Sequence, residues 1–343
     1  MYWNLSSDYR PLFQIREIES AIKIVKDAFE TLLREKVGLQ RVTAPVAVPS
    51  GCGLNDDLNG VEKPVRFHVS GVDVDVEIVQ SLAKWKRTAL ARYGFQPGEG
   101  LYTDMNAIRP DETIDHLHSI YVDQWDWEKS IRPEERTLET LQTTVRQIWS
   151  AITATEEIVM LSFPQVKRVL PKAITFLTSE ELLRQYPGMT SKERETAACR
   201  EHGAIFVIGI GGQLSDGTIH DGRAPDYDDW TTPRADGGFG LNGDILVWHP
   251  VLETAFELSS MGIRVDGPTL LKQLEIRGCP QRATLPFHRA LIEERLPLSM
   301  GGGIGQSRLC MLMMRCGHIG EIACGVWPDE MIQEYASHGV TLL

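Results

Sequence analysis

The sequence lacks several features that would assign a protein class at once. Its six cysteines form no Cys-x-x-Cys pair, so neither a zinc site nor a disulfide framework is indicated. It has no apolar run long enough to span a bilayer, and no basic segment followed by an apolar run at its start. It also lacks a basic excess, because 35 Lys and Arg face 47 Asp and Glu and leave a net charge of -12. These absences predict a cytoplasmic protein with reduced thiols, no membrane partner and no nucleic-acid partner.

The two commonest glycine-rich nucleotide motifs are also missing. No Gly-Lys-Ser/Thr closes a glycine loop, and no βαβ pattern surrounds one. A glycine-rich stretch is nevertheless present, since residues 301–308 read GGGIGQSR before an apolar run. Glycines allow close backbone approach or positive φ, so we predict a strand that ends here and a helix whose first turn carries Arg308. A guanidinium held there suits a phosphate or a flat ring. A tight connection is an equally good interpretation of this turn alone.

The composition is that of a soluble globular protein. The 343 residues are 42% apolar and 24% charged, which is enough to bury a sizeable core. Apolar residues at intervals of three and four predict an amphipathic helix over residues 15–35 that ends at Gly38. No repeat or low-complexity linker interrupts the chain, so we predict one catalytic domain over residues 1–343.

Two stretches in the first quarter of the chain have alternative interpretations. Val42, Ala44 and Val46 alternate around Pro45, as on an edge strand or at an interface. Residues 73–79 alternate as a strand, and the following helix carries Lys84 and Lys86 near its start. Cations are unfavourable at a helix N-terminus, so these lysines indicate either an anionic partner or solvated side chains. From this pattern alone we favour solvated side chains, by roughly two to one.

The strand over residues 119–127 follows a loop that contains His116 and His118. On it Gln124 and Asp126 share one face, while Asp123, Trp125 and Trp127 share the other. Polar side chains beside aromatic neighbours predict the floor of a pocket. A half-exposed sheet face would give the same pattern.

The second half of the chain begins with a helical region. Residues 137–202 read as helices, with capping boxes that start at Thr178 and Thr190. A buried strand follows over residues 204–210.

Charged residues in apolar or crowded surroundings follow that strand. Acids crowd residues 226–229 and repel one another unless cations, amides or a metal compensate, although an exposed acidic turn fits equally well. Glu257 and Arg264 are charged members of an apolar strand region, where burial is costly without a partner.

Together these stretches resemble the three signature motifs of class II aminoacyl-tRNA synthetases. GLQRVTAPVA at 38–47 resembles the interface motif, IRPD at 108–111 the second motif, and GGGIGQSR at 301–308 the third. Longer strings over nearly the whole chain resemble the asparagine synthetase A family of ammonia-dependent aspartate ligases. These are NDDLNGVEK at 55–63, SLAKWKR at 81–87, GEGLYT at 98–103, YVDQWDW at 121–127, RAPDYDDW at 223–230 and ELSSMGIR at 257–264.

The resemblance implies an α+β fold, the class II synthetase-like catalytic domain, with a mainly antiparallel sheet flanked by helices. It implies a homodimer built on residues 38–47. It also implies an AMP-forming ligase that converts L-aspartate and ATP into a β-aspartyl-adenylate and pyrophosphate. Ammonia then displaces AMP to give L-asparagine. The expected partners are L-aspartate, ATP and ammonia, with Mg²⁺ as cofactor.

The same resemblance carries roles to particular residues. The catalytic residues would be Arg109, Asp228 and Asp56. The aspartate would contact Asp56, Ser81, Lys86, Gln124, Asp126 and Arg264. The ATP would contact Arg109, Val122, Arg223, Asp228, Leu258, Ser259, Ser260 and Arg308. Magnesium would be held by Glu257, with Asp244 as helper, because Mg²⁺ prefers carboxylate and phosphate oxygens.

The sequence departs from the synthetase pattern at two positions. Ser307 stands where an acid usually precedes the third-motif arginine, and Val122 stands where an aromatic ring is expected over adenine. These departures affect the expected contacts to adenine. Both motif arginines, Arg109 and Arg308, are retained.

Two other functions compete with the ligase. An aspartyl- or asparaginyl-tRNA synthetase-like enzyme is disfavoured by the acidic balance and by the absence of a segment for an anticodon-binding domain. A catalytically silent amino-acid sensor predicts the loss of Arg109, Glu257 or Arg308, and all three are present.

Free ammonia is the expected nitrogen donor. No cysteine lies in a Gly-x-Cys-x-Gly elbow, and Met1 is followed by Tyr2 rather than by a nucleophilic cysteine. We therefore expect no glutamine-hydrolysing site. Asp228 and Asp56 are the candidates for taking a proton from ammonium.

Overall fold

The structure is a computed structural model that describes residues 2–56 and 62–343. Part of the 55–63 string and Met1 therefore lie outside the described residues. The strands are β1 (Leu39–Arg41), β2 (Ala47–Pro49), β3 (Arg66–Val69), β4 (Val74–Ile78), β5 (Gly100–Ile108), β6 (Tyr121–Ser130), β7 (Thr175–Thr178), β8 (Ala204–Ile208), β9 (Asn242–His249), β10 (Thr254–Ile263) and β11 (Ser299–Gly305). The α-helices are α1 (Ile15–Val37), α2 (Ala83–Tyr93), α3 (Leu138–Ser162), α4 (Ser179–Gln185), α5 (Ser191–His202), α6 (Gly267–Ile276), α7 (Pro286–Ile292), α8 (Gln306–Met314) and α9 (Asp329–Ser337).

A large sheet organises the part of the chain that the structure describes. It has eight strands in the order β1-β5-β6-β11-β10-β9-β8-β7, and a separate three-stranded sheet has the order β2-β4-β3. Pairing in the large sheet is antiparallel except at its two ends, where β1 runs parallel to β5 and β7 parallel to β8. The expectation of an α+β fold with a mainly antiparallel sheet flanked by helices is confirmed.

One face of the large sheet is buried under helices. Helix α1 packs against α3 and α8, and the main hydrophobic core joins these helices to the sheet. Trp125 and Trp127 of β6 belong to this core, and the Phe29 ring lies 4.7 Å from the Trp125 ring. Burying such large apolar side chains contributes roughly 2–3 kcal/mol each, so this face holds the sheet rigid. The polar side chains on the opposite face are therefore attached to a rigid backbone.

The junction of β11 and α8 has the predicted form. Strand β11 ends at Gly305, α8 begins at Gln306, and Arg308 lies in the first turn of the helix. None of the glycines on β11 takes a positive φ, so they are needed for close approach and not for an unusual backbone conformation. The alternation on β6 and the capping boxes at Thr178 and Thr190 are also as predicted.

Three sequence-based predictions need correction. The alternation at residues 42–46 is not that of an edge strand, because β1 ends at Arg41 and β2 begins at Ala47. The helical region 137–202 contains the strand β7, whose four residues are too short to show a period before the cap of α4 begins. Lys84 and Lys86 are not solvated, since they are 3% and 1% exposed.

No helix in the described part of the chain is long and apolar enough to cross a membrane.

Candidate active site

A cavity of about 350 Å³ lies over the polar face of the large sheet. It gathers residues from β6, β10, β11, α2 and the loop before β9. All the predicted site residues except Arg223 and Asp244 line it: Asp56, Ser81, Lys86, Arg109, Val122, Gln124, Asp126, Asp228, Glu257, Leu258, Ser259, Ser260, Arg264 and Arg308. A second cavity of about 340 Å³ shares Arg109, Glu112, Tyr227, Glu257 and Ser260 with the first, and Arg223 lines it.

The glycines of β11 make room for the polar floor of the cavity. Gly301 pairs with Glu128 of β6, and Gly303 pairs with Asp126. A Cβ at position 303 would lie 2.7 Å from Asp126 Oδ1, and at position 301 it would overlap the Glu128 carboxylate. Because β11 has only glycines on this face from Gly301 to Gly305, the acids of β6 can extend across it. The glycine-rich turn therefore serves the cavity as well as the strand-to-helix connection.

One wall of the cavity carries a lysine held by the floor. Lys86 Nζ donates to the Gly302 carbonyl at 2.8 Å and lies 3.2 Å from Asp126 Oδ1. Burial lowers the pKa of Lys86, although the Asp126 charge opposes this shift. The two contacts leave one N–H of the ammonium group for a ligand. Asp126 is a partner that lies 40 residues away in sequence, which is why the sequence alone favoured a solvated lysine.

Arg264 is buried between two carboxylates. Its guanidinium donates through Nε and Nη2 to Glu128 and through Nη1 to Asp228. The Ser299 hydroxyl also donates to Glu128 at 2.7 Å. Burial raises the pKa of Glu128, but the Arg264 charge and its hydrogen bonds outweigh that effect, and the net pKa is lowered. Three of the five guanidinium N–H groups are used in this way, which leaves two for a ligand.

Asp56 and Tyr227 form a hydrogen-bonded pair that lines the cavity. The Tyr227 hydroxyl donates to Asp56 Oδ2 at 3.0 Å. Burial raises the pKa of Asp56, while the nearby Lys84 charge lowers it and the Asp226 charge raises it. Asp228 is held differently, because it lies between the guanidinium groups of Arg264 and Arg223.

Behind this pair lies a buried cluster around Asp226, which is fully enclosed. Lys84 Nζ, Arg282 Nη1 and His288 Nε2 lie 3.4, 3.1 and 3.3 Å from Asp226 Oδ2. Burial raises the pKa of Asp226, but the His288 contact and the Lys84 charge outweigh it and leave the pKa well below its usual range. The crowded acids of residues 226–229 are thus compensated by cations, and the interpretation as an exposed turn is wrong.

Arg308 lines the cavity from the first turn of α8. Its Nη1 donates to the Glu257 carbonyl at 3.0 Å, and its Nη2 lies 3.2 Å from His118 Nε2. A guanidinium can only donate, so His118 Nε2 is the acceptor and the proton is on Nδ1. That proton points to Asp115, which lies 2.9 Å away. The Asp115–His118 pair therefore presents a fixed tautomer to Arg308.

The sequence did not identify His118, Asp115 or Tyr227 as site residues. His118 contacts Arg308, Tyr227 contacts Asp56, and Asp115 contacts His118; His118 and Tyr227 line the cavity. The signals available were their positions, since His118 lies in the loop of the second motif and Tyr227 stands among the crowded acids. Neither position shows a partner until the chain is folded.

Of the two residues expected to hold magnesium, Glu257 lines the first cavity and Asp244 does not. The Glu257 side chain is 37% exposed at the cavity wall, so the expectation of a buried charge there is wrong. Asp244 is buried and accepts a hydrogen bond from Arg223. Burial raises the pKa of Asp244 to about 7, a shift that Arg223 opposes and that the neighbouring Glu257 charge increases.

The described residues contain no cluster of three or more acidic, His or Cys side chains able to hold a metal. Mg²⁺ commonly binds through one or two carboxylates plus substrate phosphates, so this donor set fits that metal. Glu257 is the better placed ligand, because Arg223 already occupies Asp244.

Several buried polar atoms at the two cavities have no hydrogen-bond partner among the described residues. Two are donors, Arg109 Nε and Arg223 Nε, and two are acceptors, Asp126 Oδ2 and Gln80 Oε1. Leaving a buried polar group unpaired costs about 1–3 kcal/mol, so such atoms point to a ligand. The site therefore offers donors for an anion and acceptors for an amine.

Comparison with known proteins gives one family over most of the chain. The family described as AsnA, aspartate-ammonia ligase, matches residues 16–339. An aspartate–ammonia ligase of Clostridium perfringens strain SM101 is 55% identical over 340 residues, which cover 99% of this chain and 98% of the relative. An aspartate–ammonia ligase of Bacteroides fragilis is 50% identical over 337 residues, which cover 98% of both.

Solved structures show the same fold at low sequence identity. An asparaginyl-tRNA synthetase of Pyrococcus horikoshii in complex with asparaginyl-adenylate has a TM-score of 0.66 at 16% identity, and the match covers 91% of this chain and 70% of that one. An asparaginyl-tRNA synthetase of Entamoeba histolytica has a TM-score of 0.63 at 13% identity, with 90% and 67% covered. At these identities the likeness concerns the fold alone.

Proposed function

The chain belongs to the family of aspartate–ammonia ligases, which make asparagine from aspartate, and from this premise we propose how its cavity carries out the reaction. The side-chain carboxylate of L-aspartate attacks the α-phosphorus of ATP. Pyrophosphate leaves, and a β-aspartyl-adenylate forms. Ammonia then attacks the acyl carbon, the carbon–oxygen bond breaks, and AMP leaves with the electron pair and with one proton from the nitrogen. Family membership favours this reaction over a tRNA synthetase or a sensor.

The observation that carries this proposal is the complementary set of unpartnered atoms. Arg109 Nε lacks a partner, and Arg109 lies at the boundary that the two cavities share. Attack of a carboxylate on a phosphate brings negative oxygens together, so a cation held there stabilises the transition state. We assign Arg109 to the α-phosphate and the reacting carboxylate. Arg308, which also lines the first cavity, takes the adenine or the distal phosphates.

The two charges at the α-carbon of aspartate determine how it is held. Lys86 and Arg264 retain free N–H groups and are assigned to the α-carboxylate. Asp126 Oδ2 has no partner and is assigned, with Gln124, to the α-ammonium group. This orientation leaves the side-chain carboxylate to reach Arg109.

Asp56 is the better candidate for taking a proton from ammonium. Burial raises the pKa of Asp56, which makes its carboxylate a stronger proton acceptor. Asp228, the other candidate, is held between Arg264 and Arg223 and suits a role in fixing those cations. Ser81 accepts a hydrogen bond from the Ala83 amide at 3.1 Å and can orient the aspartate from the start of α2.

Magnesium, when bound, would neutralise charge on the phosphates. Glu257 would hold it together with phosphate oxygens, and Asp244 would support it through Arg223. Val122, Leu258, Ser259 and Ser260 line the wall that the nucleotide would cover.

A homodimer and a cytoplasmic location stay predictions. For the dimer, Val46 directly before β2 is 59% exposed, and a second copy could cover this apolar side chain. Sedimentation at micromolar concentration tests it. We expect a dimer, and a monomer would contradict it.

Product analysis tests the proposed reaction. Purified protein is incubated with L-aspartate, ATP, Mg²⁺ and ammonium, and the nucleotides and amino acids are separated. We expect AMP, pyrophosphate and asparagine in equal amounts. ADP and phosphate in place of AMP and pyrophosphate would exclude the adenylate.

A further inference from the structure

Gln80 is a fully buried residue with an unused acceptor. It lies between β4 and α2, and its side-chain oxygen Oε1 has no hydrogen-bond partner among the described residues. An amide oxygen removed from water without a partner costs free energy. Native structures usually satisfy such groups, so each exception requires an explanation. A ligand that donates an N–H to Oε1 would supply the missing partner.

The orientation of the Gln80 amide is fixed by its surroundings. Its Nε2 donates to the Asp56 backbone carbonyl at 2.9 Å. A carbonyl can only accept, so exchanging the amide nitrogen and oxygen would place two acceptors face to face. The Asn55 side chain holds the same residues, since its Oδ1 accepts from the backbone amides of Gln80 and Asp56 at 2.8 and 3.0 Å. These contacts fix the Gln80 side chain so that Oε1 is its unused acceptor.

Gln80 contacts two residues that have roles in the proposed reaction, Asp56 and Arg109. Its side chain binds the backbone of Asp56, and its own carbonyl accepts from Arg109 Nη2 at 3.3 Å. The residue thus lies between the proposed proton acceptor and the cation assigned to the reacting carboxylate. It also lines the second cavity, together with the carboxylates of Asp111, Glu112 and Glu257. Acids on that cavity wall would attract the ammonium cation from solution.

We infer that Gln80 binds the nitrogen donor and presents it to the activated aspartate. This inference rests on the proposed function and adds a binding site for its third substrate. Ammonium donates one N–H to Gln80 Oε1 and transfers another proton to Asp56. The nitrogen lone pair then forms the bond to the acyl carbon while the bond to the AMP oxygen breaks, and the departing AMP phosphate takes the second proton that the nitrogen must lose to become the amide. A neutral amide suits this role because it holds the nitrogen without competing for its proton.

Gln80→Met tests the inference, because Met has a similar length and no acceptor. Two reactions are measured: exchange of labelled pyrophosphate into ATP with aspartate alone, and asparagine formation as ammonium is varied. We expect exchange and the KM for aspartate to stay within twofold of the parent protein. The KM for ammonium should rise about tenfold, the loss of roughly one hydrogen bond. Gln96→Met is the control, since Gln96 is exposed and its Nε2 bonds only the Gly94 carbonyl.

Gln80→Glu separates binding of ammonia from support of Asp56. Glutamate keeps an oxygen acceptor but loses the donor to the Asp56 carbonyl. We expect its KM for ammonium to stay at or below that of the parent protein. If Gln80→Met does not fold, the KM of Gln80→Glu for ammonium tests the inference by itself. A value above that of the parent protein would contradict it.

Several results would overturn the inference. One is an unchanged KM for ammonium in Gln80→Met. Another is an equal rise of the KM for ammonium in Gln80→Met and Gln80→Glu, which would mean that Gln80 only supports Asp56. Absence of pyrophosphate exchange in the parent protein would instead count against the proposed adenylate itself.

Discussion

Gly303 lies directly opposite Asp126 on the neighbouring strand, and both residues belong to the floor of the cavity. A Cβ at position 303 would stand 2.7 Å from Asp126 Oδ1. The same carboxylate lies 3.2 Å from Lys86 Nζ and has an unpartnered second oxygen. The missing side chain on one strand therefore allows the charged side chain of the next to lie where a substrate amine can reach it.

Gly303→Ala should disable the aspartate site while leaving the fold intact. The added methyl group displaces Asp126 and Gln124, and a displacement near 1 Å costs roughly a hundredfold in rate. We expect the kcat/KM for aspartate to fall by about that factor, measured as aspartate-dependent pyrophosphate exchange. Gly71→Ala is the matched control, because nothing lies within 4 Å of a Cβ there. Normal exchange in Gly303→Ala would contradict this account of the floor.

Arg109→Ala and Arg308→Ala should each lower turnover by roughly a hundredfold or more, because each removes a cation from developing phosphate charge. Arg295→Ala, which removes an exposed arginine paired with Glu293, should have no effect on turnover. Turnover and the free energy of unfolding are both measured. If either cavity variant kept turnover and lost stability, that arginine would be structural.

Asp115→Asn should weaken ATP binding without touching the aspartate. The neutral amide oxygen is a weaker acceptor than the carboxylate for the His118 Nδ1 proton, and the amide nitrogen at the Oδ2 position opposes that proton, so the tautomer that accepts from Arg308 is less favoured. We expect the KM for ATP to rise about fivefold, the value of roughly one hydrogen bond. The KM for aspartate should not change. Asp216→Asn is the control, since Asp216 caps an exposed turn through Thr218. A rise in both KM values would indicate general disorder of the site.

Glu321 provides a prediction about stability and pH. Burial raises its pKa from 4.5 to about 6, although the Tyr9 hydroxyl and the amides of Gly317 and His318 lower it. The folded state therefore binds this proton more tightly than the unfolded state. The stabilisation is complete below pH 4.5 and is lost as the pH rises through about 6.

Glu321→Gln removes this titration and keeps the acceptor for the amides. Relative to the variant, the parent protein should lose about 2 kcal/mol of unfolding free energy between roughly pH 4 and pH 7. Urea unfolding at both pH values measures the difference. A constant difference across this range would show that Glu321 has an ordinary pKa.

Much of the fold and of the cavity could be predicted from local patterns. The alternation on β6 gave the faces of Gln124 and Trp125, and the glycines before Arg308 gave the strand-to-helix junction. The predictions that were wrong concern residues whose partners are distant in sequence. Lys84 and Asp226 meet across 142 residues, so neither pattern could reveal that both are buried. Short strand β7 failed for another reason, because four residues carry no measurable period.

The adenylate is the central claim, and isotope transfer tests it most directly. L-aspartate labelled with ¹⁸O in its side-chain carboxylate is converted with ATP and ammonium, and the products are analysed by mass spectrometry. If the carboxylate attacks the α-phosphorus, one labelled oxygen leaves with AMP and the other stays in the asparagine amide. We expect one ¹⁸O in the AMP phosphate for each asparagine formed. Label found in pyrophosphate or in inorganic phosphate, with none in AMP, would contradict the account.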